Sequence, residues 1–217
     1  MEYLGEVEAK ALLAGEGIPV NPTFRVDTLD EALERAESLG YPVVLKVSSN
    51  KIVHKSDVGG VILGISNPRE LKDAFTSMEG EMEAIDPQSS FSIQPYIKGG
   101  VELAVGTSTD PSFGKVIMFG LGGIWIEALG DAAFRLVPIE ERDALEMIEE
   151  IRGKKVLEGI RGYPAVDRKA LARFLLAVSD VAHRKGIAEM DLNPVFACGE
   201  RLLVADARLV MGDGSSI

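Results

Sequence analysis

Two strand-patterned runs near the C terminus, Glu189–Ala197 and Leu202–Val210, are separated only by Cys198-Gly199-Glu200-Arg201. A connection this short joins antiparallel neighbours, because parallel strands need a crossover of a dozen or more residues. Gly199 stands where a two-residue type II′ turn requires glycine. A turn at Gly199-Glu200 fixes the register so that the numbers of opposed residues sum to 399. Asn193 then faces Asp206, and Asp191 faces Arg208. Strand side chains alternate, so these four share one face, while Met190, Leu192, Phe196, Leu203 and Leu209 form an apolar one.

The remainder of the chain mixes hairpin-length connections with helices, which predicts an α+β fold rather than a purely parallel doubly wound sheet. Leu4, Val7, Ala11 and Leu12 recur at helical spacing up to Gly15 and Gly17. A short strand at Phe24–Val26 follows. Thr28 and Glu31 read as a capping box opening a helix that Gly40 ends. Val43–Val47 and Gly60–Ile65 pattern as strands, and Asn67, Pro68 and Glu70 start the next helix. Strands are further predicted at Phe91–Ile97, Val101–Thr107, Lys115–Phe119 and Ile124–Leu129. Helices fit Glu140–Arg152 and a run from an Asp167 cap to Lys185, with Leu171, Phe174, Leu175, Val178 and Val181 on one face. The Pro/Gln/Ser patch at Asp86–Ser90 separates two patterned blocks and marks the predicted domain boundary. Two lobes imply a cleft where ligands commonly bind.

Hydrophobic residues at 46 % and charged residues at 26 % exclude disorder. Net charge is −11, with no Lys/Arg-rich run to offset it, which argues against a nucleic-acid partner. Cys198 is the only cysteine, excluding an intrachain disulfide and a cysteine-based zinc site. The apolar runs fall short of the ~20 residues of a membrane span, and residues 1–20 lack a signal-peptide layout. The expectation is a cytoplasmic protein without a membrane partner.

Lys46 lies within the apolar run Val43-Val44-Leu45-Lys46-Val47, where a buried ammonium must meet a negative group. A structural ion pair and a phosphate contact both satisfy that need. His54 sits in the polar loop Ile52–Gly60, which ends in the glycine pair Gly59-Gly60. A neutral imidazole is a competent nucleophile near pH 7, and the alternative is an exposed loop histidine. The Asn193–Asp206 pair suits Mg²⁺, which takes few protein oxygens and fills its shell with water and phosphate. A solvated polar face with one cross-strand salt bridge explains the same pattern. Glu102 alternates with apolar residues after a glycine pair and either accepts from ribose hydroxyls or points at water. Asp131 and Arg135 bracket an apolar stretch, and either is compatible with a surface position.

Together these segments resemble the ATP-grasp subunit of ADP-forming acetyl-CoA synthetases, within the NDP-forming acyl-CoA synthetases, and more distantly the β subunit of succinyl-CoA synthetase. The matching text is Glu8-Ala9-Lys10, Gly17–Val20, Gly40–Lys46, Ile52–Gly60, Asp110–Gly114, Met118–Ile124, Phe134-Arg135-Leu136, Arg161-Gly162, Asp191–Val195 and Asp206-Ala207-Arg208. These blocks run in order over nearly the whole chain. The resemblance implies an ATP-grasp fold with the nucleotide in the cleft between two lobes. One lobe would comprise residues 19–88 and the other residues 1–18 and 89–217. It implies reversible conversion of acyl-CoA, ADP and phosphate to carboxylate, ATP and CoA, together with a CoA-binding α subunit in an α2β2 assembly. In that scheme His54 carries a phosphoryl group between the α partner and ADP. Lys46 binds nucleotide phosphates, and Gly59 and Gly60 shape the nearby loop. Gln94, Tyr96 and Ile97 meet the adenine, Glu102 holds the ribose, and Arg135 is a candidate for phosphate. Asn193 and Asp206 bind Mg²⁺, with Asp191 near the phosphohistidine or the metal. Asn50 and Gln94 depart from the family pattern, where proline and glutamate are expected. The rival readings are a regulatory nucleotide-binding module, against which Lys46, His54, Asn193 and Asp206 together argue, and a carboxylate–amine ligase, whose chemistry needs no carrier histidine.

Overall fold

The computed structural model describes residues 2–48, 59–123, 130–159 and 164–212. Their contacts form two compact units, one of Asn21–Ile97 and one of Met1–Val20 with Lys98–Ile217. The predicted strand at Ile124–Leu129, the loop around His54, and Arg161-Gly162 lie outside the described residues.

In chain order the elements are β1 (Glu2–Leu4), α1 (Glu6–Gly15), β2 (Phe24–Val26), α2 (Leu29–Leu39), β3 (Val43–Ser48), β4 (Val61–Ile65), α3 (Pro68–Ile85), β5 (Ser90–Pro95), β6 (Val101–Asp110), β7 (Gly114–Leu121) and β8 (Ala132–Leu136). There follow α4 (Glu141–Glu150), a 3-10 segment (Arg152–Glu158), α5 (Arg168–Arg184), β9 (Ile187–Cys198), β10 (Arg201–Val204) and β11 (Ala207–Met211).

The unit Asn21–Ile97 is a four-stranded antiparallel sheet, ordered β2-β5-β3-β4, packed against α2 and α3. Local chemistry sets the helix starts. Thr28 accepts from the Glu31 N–H at 3.3 Å, and Asn67 from the Glu70 N–H at 3.0 Å, with Pro68 in the first turn. Glu31 reaches back to the Asp27 N–H at 2.8 Å, one residue before the reciprocal partner of a regular capping box. Val43, Leu45 and Val47 of β3, with Phe91 and Ile93 of β5, bury against Ala32, Ala36, Leu71, Phe75, Met78 and Met82. Strand β5 thus belongs with β2 and β3, although the polar patch before it reads as a domain boundary. That patch is the turn returning from α3: the Asp86 N–H caps onto the Met82 carbonyl, and the Ser89 N–H donates to the Asp86 carbonyl.

In the other unit a seven-stranded antiparallel sheet runs β1-β11-β9-β6-β7-β8, with β10 also on β9. Its core lies between one face of this sheet, carrying Leu103, Val105, Ile117, Phe119 and Ala133, and helices α4 and α5. Asp167 caps α5 by accepting from the Ala170 N–H at 2.6 Å. Two strands escape the sequence patterns, β1 and β8, being short and flanked by stronger signals. Glu140 caps α4, so this helix is shorter than predicted, and its continuation is the 3-10 segment. Buried Asp131 holds that segment, accepting from the Arg152 and Gly153 N–H groups at 2.8 and 2.7 Å.

Candidate functional site

The C-terminal hairpin keeps the predicted register. Arg201–Val204 pair with Cys198–Val195, and Ala207–Val210 with Leu192–Glu189, all summing to 399. Gly199 has φ +60°, the left-handed backbone such a turn needs. Asp191 therefore opposes Arg208, and Asn193 and Asp206 fall opposite one another in the gap between β10 and β11, where the Ala205 N–H donates to the Pro194 carbonyl at 2.9 Å.

One part of the predicted apolar face is corrected. Leu103 pairs with Val195 and Val105 with Leu192, so two β9 residues, Asn193 and Pro194, stand against Ala104 alone. This bulge resets the alternation. Met190 and Leu192 face the core before it, Val195 and Ala197 after it, and Phe196 with its partner Leu203 turns to the other face, half-buried. Glu102 opposes Phe196, and Gly106 opposes Asp191. The structure thus brings Glu102, Asp191, Asn193 and Asp206 to the face of the large sheet away from α4 and α5.

The Asp191 carboxyl is raised above the ordinary aspartate value of 3.8. Loss of solvent is the main cause, the neighbouring Asp206 carboxylate adds to it, and Arg208 opposes it. A carboxyl whose charge a neighbouring carboxylate disfavours makes a site that a divalent cation would relieve. Among the described residues no group of three or more His, Cys, Asp or Glu gathers, so the protein's share of a shell here is small. Mg²⁺ tolerates that, because it retains water and phosphate ligands. Next to Asp191 a groove of about 420 Å³ runs over Gly106, Met118, Ala132 and Phe134.

Arg135 is not brought to this face. It pairs with Ile117 on the core side of the sheet and forms ion pairs with Glu150 at 2.9 Å and Glu146 at 3.6 Å on α4.

In the unit Asn21–Ile97, Lys46 pairs with Ser92 on one side and Val61 on the other. Lys46, Ser92 and Gln94 share the face of β3 and β5 that α2 and α3 do not cover, yet they are only 5 %, 1 % and 3 % exposed. The Ser92 hydroxyl is buried with no hydrogen-bond partner among the described residues. Such a group is costly unless a ligand completes it. Gln94 accepts from the Thr23 hydroxyl at 2.8 Å. The Tyr96 N–H donates to the Pro42 carbonyl at 3.0 Å, and Ile97 is half-buried just beyond β5. Gly59 has φ +68°, and the Gly60 carbonyl accepts from the Val47 N–H at 2.8 Å, tying the end of the His54 loop to β3. Sequence reasoning passed over Ser92, whose signal was its alternation with Phe91 and Ile93 opposite a buried lysine.

The sequence profile of the ATP-grasp domain family matches residues 1–211. The chain is 43 % identical to the acetate–CoA ligase [ADP-forming] II subunit beta of Pyrococcus furiosus, over 95 % of this chain and 90 % of that one. It is also 43 % identical to acetate–CoA ligase [ADP-forming] II of Archaeoglobus fulgidus over 96 % of its length, and there it spans only 30 % of the relative. Among solved structures, the dinucleotide-forming acetyl-coenzyme A synthetase 1 of Ca. Korarchaeum cryptofilum, in complex with coenzyme A and Ca-AMPCP, superposes with a TM-score of 0.91 at 37 % identity, covering 97 % of this chain and 94 % of that one. The same enzyme with Mg-AMPPCP, its phosphohistidine segment pointing towards the nucleotide-binding site, superposes with a TM-score of 0.82 at 38 % identity, covering 97 % and 93 %. No helix among the described residues is long and apolar enough to cross a membrane.

Proposed function

The chain belongs to the ATP-grasp family, in the lineage of the β subunits of ADP-forming acetate–CoA ligases, and we propose that it is the nucleotide-binding β subunit of an ADP-forming acyl-CoA synthetase. Acyl-CoA, ADP and phosphate are reversibly converted to carboxylate, ATP and CoA, and this chain performs the transfer to ADP. The observation that carries the reading is the β9–β11 register, which sets Asp191, Asn193 and Asp206 on one sheet face in a chain of this lineage.

Asn193 and Asp206 hold Mg²⁺, whose role when bound is to neutralise and orient phosphate oxygens. Lys46 binds the phosphates, and the Ser92 hydroxyl beside it finds its partner in the bound nucleotide. Glu102 holds the ribose, and Gln94, Tyr96 and Ile97 meet the adenine. Asp191 acts beside the transferred phosphoryl group. Arg135, engaged by Glu146 and Glu150, keeps α4 on the sheet. His54 is the phosphoryl carrier: its imidazole nitrogen bonds to phosphorus as the phosphorus–nitrogen bond to a histidine of the α partner breaks, and a β-phosphate oxygen of ADP then displaces the His54 nitrogen to give ATP. Covalent relay divides one long transfer into two short in-line steps. The acyl phosphate forms on a CoA-binding α subunit, whose own histidine passes the phosphoryl group to His54, in an α2β2 assembly in the cytoplasm.

The test is incubation of the chain with Mg²⁺ and γ-labelled ATP. An acid-labile, alkali-stable label that disappears in His54→Ala is expected; a label that persists in His54→Ala contradicts the assignment.

A further inference from the structure

Helix α1 carries two charged side chains that are almost wholly buried, Glu6 at 5 % and Lys10 at 2 % exposed. They lie one helical turn apart, with Lys10 Nζ 3.0 Å from Glu6 Oε1. Lys10 Nζ also donates to the carbonyl oxygen of Ala205 at 2.6 Å, a contact spanning 195 residues of sequence. Ala205 immediately precedes Asp206, and both occupy the gap between β10 and β11.

Asp206 sits in that gap, between two stretches of the ladder to β9. On either side of it the ladder to β9 fixes the backbone, through Val204–Val195 and Ala207–Leu192. Within it, the Ala205 N–H is held by the Pro194 carbonyl and the Ala205 carbonyl by Lys10. The peptide joining Ala205 to Asp206 is planar, so an ammonium that fixes its oxygen also fixes the amide nitrogen and Cα of Asp206. Anchoring α1 to the sheet needs no buried charge, since Ala9 and Leu13 of the same helix, both fully buried, do so with apolar contact.

We propose that Lys10, oriented by Glu6, is a positioning residue that sets the backbone of Asp206 for Mg²⁺. The inference rests on the metal reading of Asp206. Lys10 acts through the Ala205 carbonyl, as supporting groups behind metal ligands do.

The test is ADP binding by the full chain, measured calorimetrically across a Mg²⁺ titration. Glu6→Leu with Lys10→Met removes the donor together with the carboxylate it pairs with. It should raise the Mg²⁺ midpoint about tenfold or more while leaving metal-free ADP affinity unchanged. A folded Leu/Met pair with the wild-type midpoint overturns the proposal. Asp206→Ala is the control for the underlying reading: a normal midpoint there removes the metal site, and this inference with it. Should the Leu/Met pair not fold, the ¹⁵Nζ resonance of Lys10 in the unmutated chain decides. It should shift when Mg²⁺ is added to the ADP complex and not when ADP alone is added; an unmoved resonance overturns the proposal.

Discussion

Asp191 stands directly across β9–β11 from Arg208, whose guanidinium carbon lies 5.0 Å from the centre of the Tyr3 ring. Stacking on the ring holds the cation beside a carboxylate that loss of solvent and Asp206 both push toward its neutral form. Arg208 is the one group named here that works the other way. Arg208→Met should therefore raise the Asp191 carboxyl further above 3.8, observable by carboxyl ¹³C titration. A lower or unchanged midpoint contradicts this account of the pair.

Removal of magnesium tests the Asn193–Asp206 pair. Bound nucleotide stabilises the fold by about 2.7 kcal/mol at a ligand concentration of 100 times its dissociation constant. With Mg²⁺ chelated, that protection should shrink in the unmutated chain and change little in Asp206→Ala. Equal losses in both proteins, followed by thermal unfolding with ADP, count against the site.

The small sheet offers a separate pair of variants. Lys46→Met should abolish tight nucleotide binding in a chain that still folds. Ser92→Ala removes a hydroxyl that has no hydrogen-bond partner among the described residues, so unliganded stability should hold or rise, and ADP affinity should fall. Urea unfolding and calorimetry separate the two effects. An unliganded Ser92→Ala protein destabilised by more than about 1 kcal/mol would show that the hydroxyl is structural.

Asp131 predicts the acid side of the stability curve. Burial by itself raises its carboxyl, but the N–H groups of Arg152 and Gly153 and the Arg152 guanidinium outweigh burial and hold it below 3.8. A depressed carboxyl contributes stability that is present above the unfolded value and is lost as pH falls through the folded one. Asp131→Asn should cost about 1–3 kcal/mol at pH 7. It should also flatten the loss of stability below the ordinary value of 3.8, read from urea midpoints against pH. An unchanged acid limb contradicts the assignment.

The hairpin register was legible because a two-residue turn leaves a strand pair little freedom, and Asp191, Asn193 and Asp206 were placed by counting alone. Phe196 and Leu203 were assigned to the wrong face because the bulge at Asn193 and Pro194 arises against β6, a strand far away in sequence. The break at Asp86–Ser90 misled for a related reason, since a polar turn inside a sheet and a linker between domains have the same composition. Arg135 matched a family motif, but its ion pairs with α4 follow from packing. Lys10 was visible only as text in a match; its bond to Ala205 joins opposite ends of the chain and leaves no local pattern.

Whether His54 relays the phosphoryl group is decided by one reconstitution. The His54→Ala chain is combined with its CoA-binding α partner and supplied with acyl-CoA, phosphate, ADP and Mg²⁺, and ATP formation is followed. ADP should still bind, since Lys46, Glu102 and the Asn193–Asp206 pair remain, but ATP formation should be lost. ATP formation at the unmutated rate would contradict the relay and require direct transfer from the α subunit to ADP.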